Sequence, residues 1–277
     1  MVAQLPRAPP RSGESLVRVL RLLALSLALL CVGLGVACSD GDQTGEIVVS
    51  AASSLTDAFT ELAEAFERSE AADGTTVTLN FGSSSALAVQ IVEGAPADVF
   101  ASANVVQMQV VVDDGKVSDP TVFAQNRIVV VTPAGLGRIA GFEDLAADGV
   151  RLVLAGPEVP VGVYARRAIA AADASIGGGF ASAVLANVVS EEANVRAVLA
   201  KVELGEADAG IVYATDAAIA GDGVEAYGIP AEFAPPAEYV IAALNDAPAS
   251  AAAFVAFVLS EDGQAILERH GFSRAGG

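Results

Sequence analysis

The chain has 277 residues, enough for one large domain or two smaller ones, and at 53% hydrophobic it can fill a sizeable core. A formal net charge of −19 disfavours nucleic acid and anionic membrane surfaces as partners. Aromatic residues make up only 5% and tryptophan is absent, which argues against stacking surfaces for sugars or bases.

The first segment reads as a leader. Arg7, Arg11, Arg18 and Arg21 form a positive region, and Leu22 to Ala37 is an apolar stretch broken only by Ser26, slightly short for a membrane span and ending in small residues. Residues 1–37 are therefore expected to be a signal peptide. Gly35-Val36-Ala37-Cys38 resembles a lipobox, with Leu34 one place too early, and ordinary signal peptidase can also cut after Ala37. Either cut makes Cys38 the first mature residue and residues 38–45 a polar tether, with Cys38 the candidate lipidation site. Cys31 leaves with the leader, so the mature chain keeps one cysteine and has no internal disulfide.

From Glu46 onward strand and helix patterns alternate. Ile47 to Ala51 is a short apolar run typical of a buried parallel strand. Ser54-Leu55-Thr56-Asp57 is a helix-start signal close to a capping box. Behind it Leu55, Phe59, Leu62 and Phe66 recur at helical spacing, with Glu61, Glu64 and Glu67 on the wet face. After an Asp73-Gly74 turn, Val77 to Phe81 is the next strand. Ser83, Ser84 and Ser85 open a helix that Gly94 and Pro96 end. Ala97 to Phe100 is a strand, Val105 to Val112 a helix and Arg127 to Thr132 a strand.

A second set follows. Val150 to Ala155 is a strand, and Tyr164, Ala168 and Ile169 lie on a helix begun near Pro160. Val195, Val198, Leu199 and Val202 mark an amphipathic helix and Ala209 to Tyr213 a strand. Pro230, Pro235 and Pro236 punctuate a loop, Tyr239 to Leu244 is a strand, and Phe254, Val255, Val258 and Leu267 belong to closing helices. Repeated βαβ units over this length mean doubly wound α/β lobes.

Enzyme signatures are missing from the pattern. The single histidine, His270, sits seven residues from the C-terminus, and no nucleophile-elbow motif accompanies it, so it reads as a surface or capping residue. One histidine and one mature cysteine exclude the usual zinc sites. Gly177-Gly178-Gly179 lacks a following Lys-Ser/Thr and reads as a flexible loop. Ser54 and Ser84 are more suggestive. Each stands at a helix start just past the C-terminal end of a strand, where α/β folds bind ligands and free N–H groups face anions. Taken alone, such serines are more often plain N-caps.

An ordered set of motifs carries a resemblance. Ala51-Ala52-Ser53-Ser54-Leu55-Thr56-Asp57 and Phe81-Gly82-Ser83-Ser84-Ser85 resemble the first two site motifs of periplasmic molybdate-binding proteins. Gly94-Ala95-Pro96-Ala97-Asp98-Val99-Phe100 is similar to that family's most distinctive string, and Val159-Pro160-Val161-Gly162-Val163-Tyr164 resembles its second-lobe anion loop. Glu192-Ala193-Asn194-Val195-Arg196, the segment from Gly205 to Tyr213, and Arg269-His270-Gly271-Phe272 match further segments, so the resemblance runs from about 47 to 273.

The resemblance implies a two-lobed periplasmic-binding fold of type II, each lobe a doubly wound mixed or parallel sheet flanked by helices. Lobe one takes residues 46–124 and 239–277 and lobe two residues 125–238, with crossings near Phe123 to Arg127 and near Ala237 to Val240. It implies five contacts to molybdate or tungstate: the Ser54 and Ser84 hydroxyls, the Val161 and Val195 backbone N–H groups, and the Tyr213 phenol. Three positions depart from the family pattern. Val161 stands where alanine is usual and adds bulk beside the anion; Asn104 replaces a common aspartate, and Val240 a common proline. The implied partner is an ABC permease in the cytoplasmic membrane, with the chain a monomer outside that membrane, periplasmic or anchored through Cys38, and without cofactor. Neutral donors in a closed cleft can hold a dianion despite the acidic exterior, which is screened beyond about 8 Å. The rival readings are a binding protein for sulfate or another oxyanion, and an extracytoplasmic α/β hydrolase.

Overall fold

The computed structural model describes residues 45–276. The expected leader, Cys38 and nearly all of the tether lie outside the described residues.

The first half of the fold follows the alternation in the sequence: β1 (Glu46–Ala52), α1 (Thr56–Glu67), β2 (Thr76–Gly82), α2 (Ser84–Val92), β3 (Val99–Ser102), α3 (Val105–Asp113) and β4 (Thr121–Asn126). The next part runs β5 (Ile128–Pro133), β6 (Leu152–Ala155), α4 (Pro160–Ile176), α5 (Phe180–Ala186), β7 (Val188–Glu192), α6 (Val195–Glu203), β8 (Ala209–Tyr213), α7 (Ala214–Ala220) and β9 (Val224–Gly228). The chain closes with β10 (Ala237–Ala243), α8 (Ala249–Leu259), α9 (Glu261–Arg269) and the short β11 (Ser273–Arg274).

These strands make two sheets, ordered β11-β4-β10-β3-β1-β2 and β7-β6-β8-β5-β9. In the first, β1 is parallel to β2 and β3 while β10 is antiparallel to β3 and β4. In the second, β6 is parallel to β7 and β8 while β5 is antiparallel to β8 and β9. The chain passes from the first sheet to the second between Asn126 and Ile128, and returns between Gly228 and Ala237.

The central strands β3, β6 and β8 are buried at every residue, as continuous apolar runs covered on both faces must be. Helix α1 turns Phe59, Leu62 and Phe66 inward, all fully buried, and each such burial contributes about 1.5–3 kcal/mol. Phe59 and Phe66 pack edge-on against Phe254 of α8, so the C-terminal helices cover the first sheet. Tyr239 of β10 stands at the junction of the lobes, in edge contact with Phe123, Tyr213 and Phe272.

Two helix starts differ from the sequence reading. The Ser54-to-Asp57 signal does not form a capping box; Ser53 to Leu55 is a 3-10 turn leading into α1, without a side-chain cap. At α2 the cap is Ser83, whose hydroxyl accepts the Ala86 N–H at 3.2 Å. His270 is the C-cap residue of α9 and contacts Glu61 Oε2 at 2.8 Å.

Candidate functional site

The five expected contact residues meet around one small cavity between the two sheets. Ser54 enters from the turn after β1 and Ser84 from the turn after β2; Ala103 closes the floor just beyond β3. From the second sheet come Val161 in the first turn of α4, Val195 at the start of α6, and Tyr213 at the end of β8. Every one of these lies at or past the C-terminal end of a strand, where an open α/β sheet leaves a crevice. All five are at most 3% exposed, so little of the cavity wall meets bulk solvent. The space left in it is small, about 10 Å3, and no charged side chain lines it.

Its polar groups are arranged as donors. The Ser84 hydroxyl accepts the Ala103 N–H at 2.9 Å, which leaves its proton free for another partner. Because Ser83 supplies the helix cap, Ser84 is not spent on that task. The Ser54 hydroxyl lies 2.8 Å from that of Tyr239; when Tyr239 donates, the Ser54 proton is likewise free. Val161 is the second residue of α4 and Val195 the first of α6, positions whose N–H groups have no partner inside the helix. At α4 no side chain caps the turn, and at α6 the Asn194 cap serves the Ala197 N–H instead. Both helix dipoles thus present their positive ends to the cavity.

Tyr213 is the sharpest feature. Its hydroxyl is fully buried and has no partner in good hydrogen-bond geometry among the described residues, the Tyr239 phenol being its polar neighbour; the two rings meet edge-on at 5.6 Å. Burial holds both phenols well above the ordinary tyrosine range, so each keeps its proton and remains a donor. An unmade hydrogen bond at a buried hydroxyl costs about 1–3 kcal/mol. Such a group, aimed at a cavity, is what a bound acceptor would satisfy.

Behind Tyr213 lies a charged group that the sequence reading did not single out. Asp216, on α7, is fully buried; burial raises its carboxyl to about 6, against the opposing influence of Arg196. Its Oδ2 accepts the Tyr213 N–H at 3.3 Å, and its Oδ1 lies 2.8 Å from Arg196 Nε, a close ion pair whose angle falls outside hydrogen-bond geometry. Tyr239, which holds the Ser54 hydroxyl, was visible in the sequence only as a strand residue. Its partner is 185 positions away, a pairing that no local pattern reports.

Two α/β lobes, joined by two chain crossings with a small polar cavity between them, have the type II fold of periplasmic binding proteins. The chain belongs to the bacterial extracellular solute-binding protein family, whose profile matches residues 47–273. It is 40% identical over 232 residues to the molybdate-binding protein ModA of Mycobacterium tuberculosis, covering 82% of this chain and 84% of that one. It is 34% identical over 244 residues to the molybdate-binding protein ModA of Escherichia coli, covering 83% and 89%. Among solved structures, the periplasmic molybdate-binding protein of Azotobacter vinelandii superimposes with a TM-score of 0.72 at 22% identity, covering 83% of this chain and 99% of that one, a likeness of fold.

Proposed function

We propose that this chain captures molybdate, or the near-isosteric tungstate, between its lobes and delivers it to the permease of an ABC importer. The observation that carries the reading is the small, uncharged cavity in which donors from both lobes converge and the buried Tyr213 hydroxyl has no partner of good geometry. Relatives at 40% and 34% identity that carry the name molybdate-binding support the choice of anion. Ser54, Ser84 and Tyr213 would donate through hydroxyls, Val161 and Val195 through backbone N–H groups. A fully deprotonated tetrahedral dianion accepts from all of them. Phosphate near neutral pH keeps a proton that this set offers no acceptor for.

Each charge-assisted bond contributes about 1.5–3 kcal/mol. Five of them, less the several kcal/mol lost on association, reach about micromolar affinity or tighter. In this reading the mature chain is a monomer outside the cytoplasmic membrane, free in the periplasm or held by a lipid on Cys38, and docks closed on its permease. Calorimetric titration of the mature chain with molybdate, tungstate, sulfate and phosphate tests it. Molybdate and tungstate are expected to bind alike and much more tightly than phosphate. Sulfate binding above both would move the assignment to sulfate, and four blank titrations would end the oxyanion reading.

Tyr213→Phe tests the site itself. It removes a donor that has no partner of good geometry in the ligand-free protein, so apo stability should hold or rise by up to about 1 kcal/mol. Molybdate affinity should fall about ten- to a hundredfold. Ser84→Ala is a less clean probe, since it also strips the buried Ala103 N–H of its acceptor. An unchanged molybdate affinity in Tyr213→Phe would remove Tyr213 from the ligand set.

A further inference from the structure

Arg196 lines no part of the cavity, yet its guanidinium joins the two lobes. Its Nη2 reaches Asp57 Oδ2 at 2.5 Å, on α1 beside the first sheet, while its Nε faces Asp216 Oδ1 at 2.8 Å within the second lobe. Asp57 stands one turn after Ser54, Arg196 directly follows Val195, and Asp216 holds the Tyr213 N–H. One cation thus connects the segments carrying three of the five candidate contacts, two from lobe two and one from lobe one.

The two carboxylates play different parts. Asp216 has no exposed side-chain surface and shares a lobe with Arg196, so that pair persists whether the clamp is open or shut. Asp57 is 41% exposed and belongs to the other lobe, so its pair with Arg196 forms only when the lobes meet. Burial of Asp216 also fixes where the guanidinium sits: its Nε is held inward, and the remaining end projects toward α1. The cation is therefore oriented before closure, which lowers the entropy lost when Asp57 arrives.

We infer that Arg196, anchored on Asp216, is a positioning residue that latches the closed clamp through Asp57 and so slows escape of the bound anion. This rests on the oxyanion reading above for its ligand, not for its geometry. Because the pair is made after the anion is already between the lobes, its contribution belongs to dissociation and not to capture.

The test uses Asp57→Asn, which leaves the buried Arg196–Asp216 pair intact, whereas Arg196→Ala would leave Asp216 buried without its counter-charge. Molybdate association and dissociation are followed by stopped-flow on the mature wild-type chain, Asp57→Asn and Asp57→Glu. Asp57→Asn is expected to release molybdate about three- to tenfold faster, with association within about twofold and the ligand-free melting temperature unchanged. Asp57→Glu restores much of the slow release, and raising salt speeds wild-type release toward the Asp57→Asn value. Equal dissociation rates for wild type and Asp57→Asn overturn the latch while leaving molybdate binding standing. Should wild type bind no oxyanion, the ligand reading falls, and the latch on that anion falls with it.

Discussion

Millimolar molybdate is expected to raise the unfolding free energy of the mature chain by about 4 kcal/mol. The donors that would hold the anion come from segments far apart in sequence: the turns after β1 and β2, the first turns of α4 and α6, and the end of β8. An unfolded chain assembles none of them, so the ligand binds the folded state alone. The gain is then RT ln(1 + [L]/Kd), about 4 kcal/mol at a thousandfold excess over a micromolar dissociation constant. For a chain of this size that is roughly 8–16 °C in melting temperature. The bridging geometry adds a second expectation: the anion joins both lobes, so unfolding of the liganded protein should be one cooperative event. A thermal melt with and without molybdate, tungstate, sulfate and phosphate reads both. No rise with either molybdate or tungstate at millimolar concentration would sink the oxyanion assignment.

How much of this was legible before the structure depends on how local each feature is. The central strands announce themselves because a strand covered on both faces must be apolar throughout: Val-Phe-Ala-Ser of β3, Leu-Val-Leu-Ala of β6 and Ala-Gly-Ile-Val-Tyr of β8 are all buried. The strands β7 and β9 were not anticipated. Both are sheet edges with Glu and exposed positions, so neither the apolar run nor a clean alternation survives in Val-Val-Ser-Glu-Glu or Val-Glu-Ala-Tyr-Gly. The helices α5 and α7 have seven residues each, too few for a 3.6-residue period to establish itself.

The candidate site divides the same way. Strand-end serines were suggestive from chemistry alone, and the structure separates their tasks, with Ser83 capping and Ser84 facing the cavity. Val161 and Val195 offer backbone groups, which a side-chain alphabet does not encode, and only family resemblance pointed to them. The Arg196–Asp57 contact spans 139 positions, and the Asp216 carboxylate sits in an alanine-rich segment without periodic signal. Charge pairing at that range is set by how the lobes meet.

The largest single-residue effect is expected at Gly162, the third residue of α4. A Cβ built there would stand 2.1 Å from the Gly156 carbonyl oxygen and 2.5 Å from that of Ala155. Both are backbone atoms at the end of β6, so no side-chain rotation relieves the clash; the first turn of α4 must move. Resistance comes from several directions. Ala168, Ile169 and Ala172 bury the same helix farther along, and Arg166 donates to the Ala155 carbonyl at 2.8 Å. Overpacking typically costs about 1–3 kcal/mol when side chains can adjust, and here backbone meets backbone, so Gly162→Ala should cost about 3 kcal/mol or more. That corresponds to a fall of roughly 6–12 °C in melting temperature. Gly141, with nothing within 4 Å of its built Cβ, is the control, and Gly141→Ala should stay within about 0.5 kcal/mol of wild type. Displacing the turn also carries the Val161 N–H away from the cavity. Any Gly162→Ala protein that folds should therefore bind molybdate more weakly than its stability loss alone explains, whereas Gly141→Ala binds normally. A Gly162→Ala chain that melts and binds like wild type would show that α4 is not seated this tightly on β6, and that the Val161 N–H is not held in place by this contact.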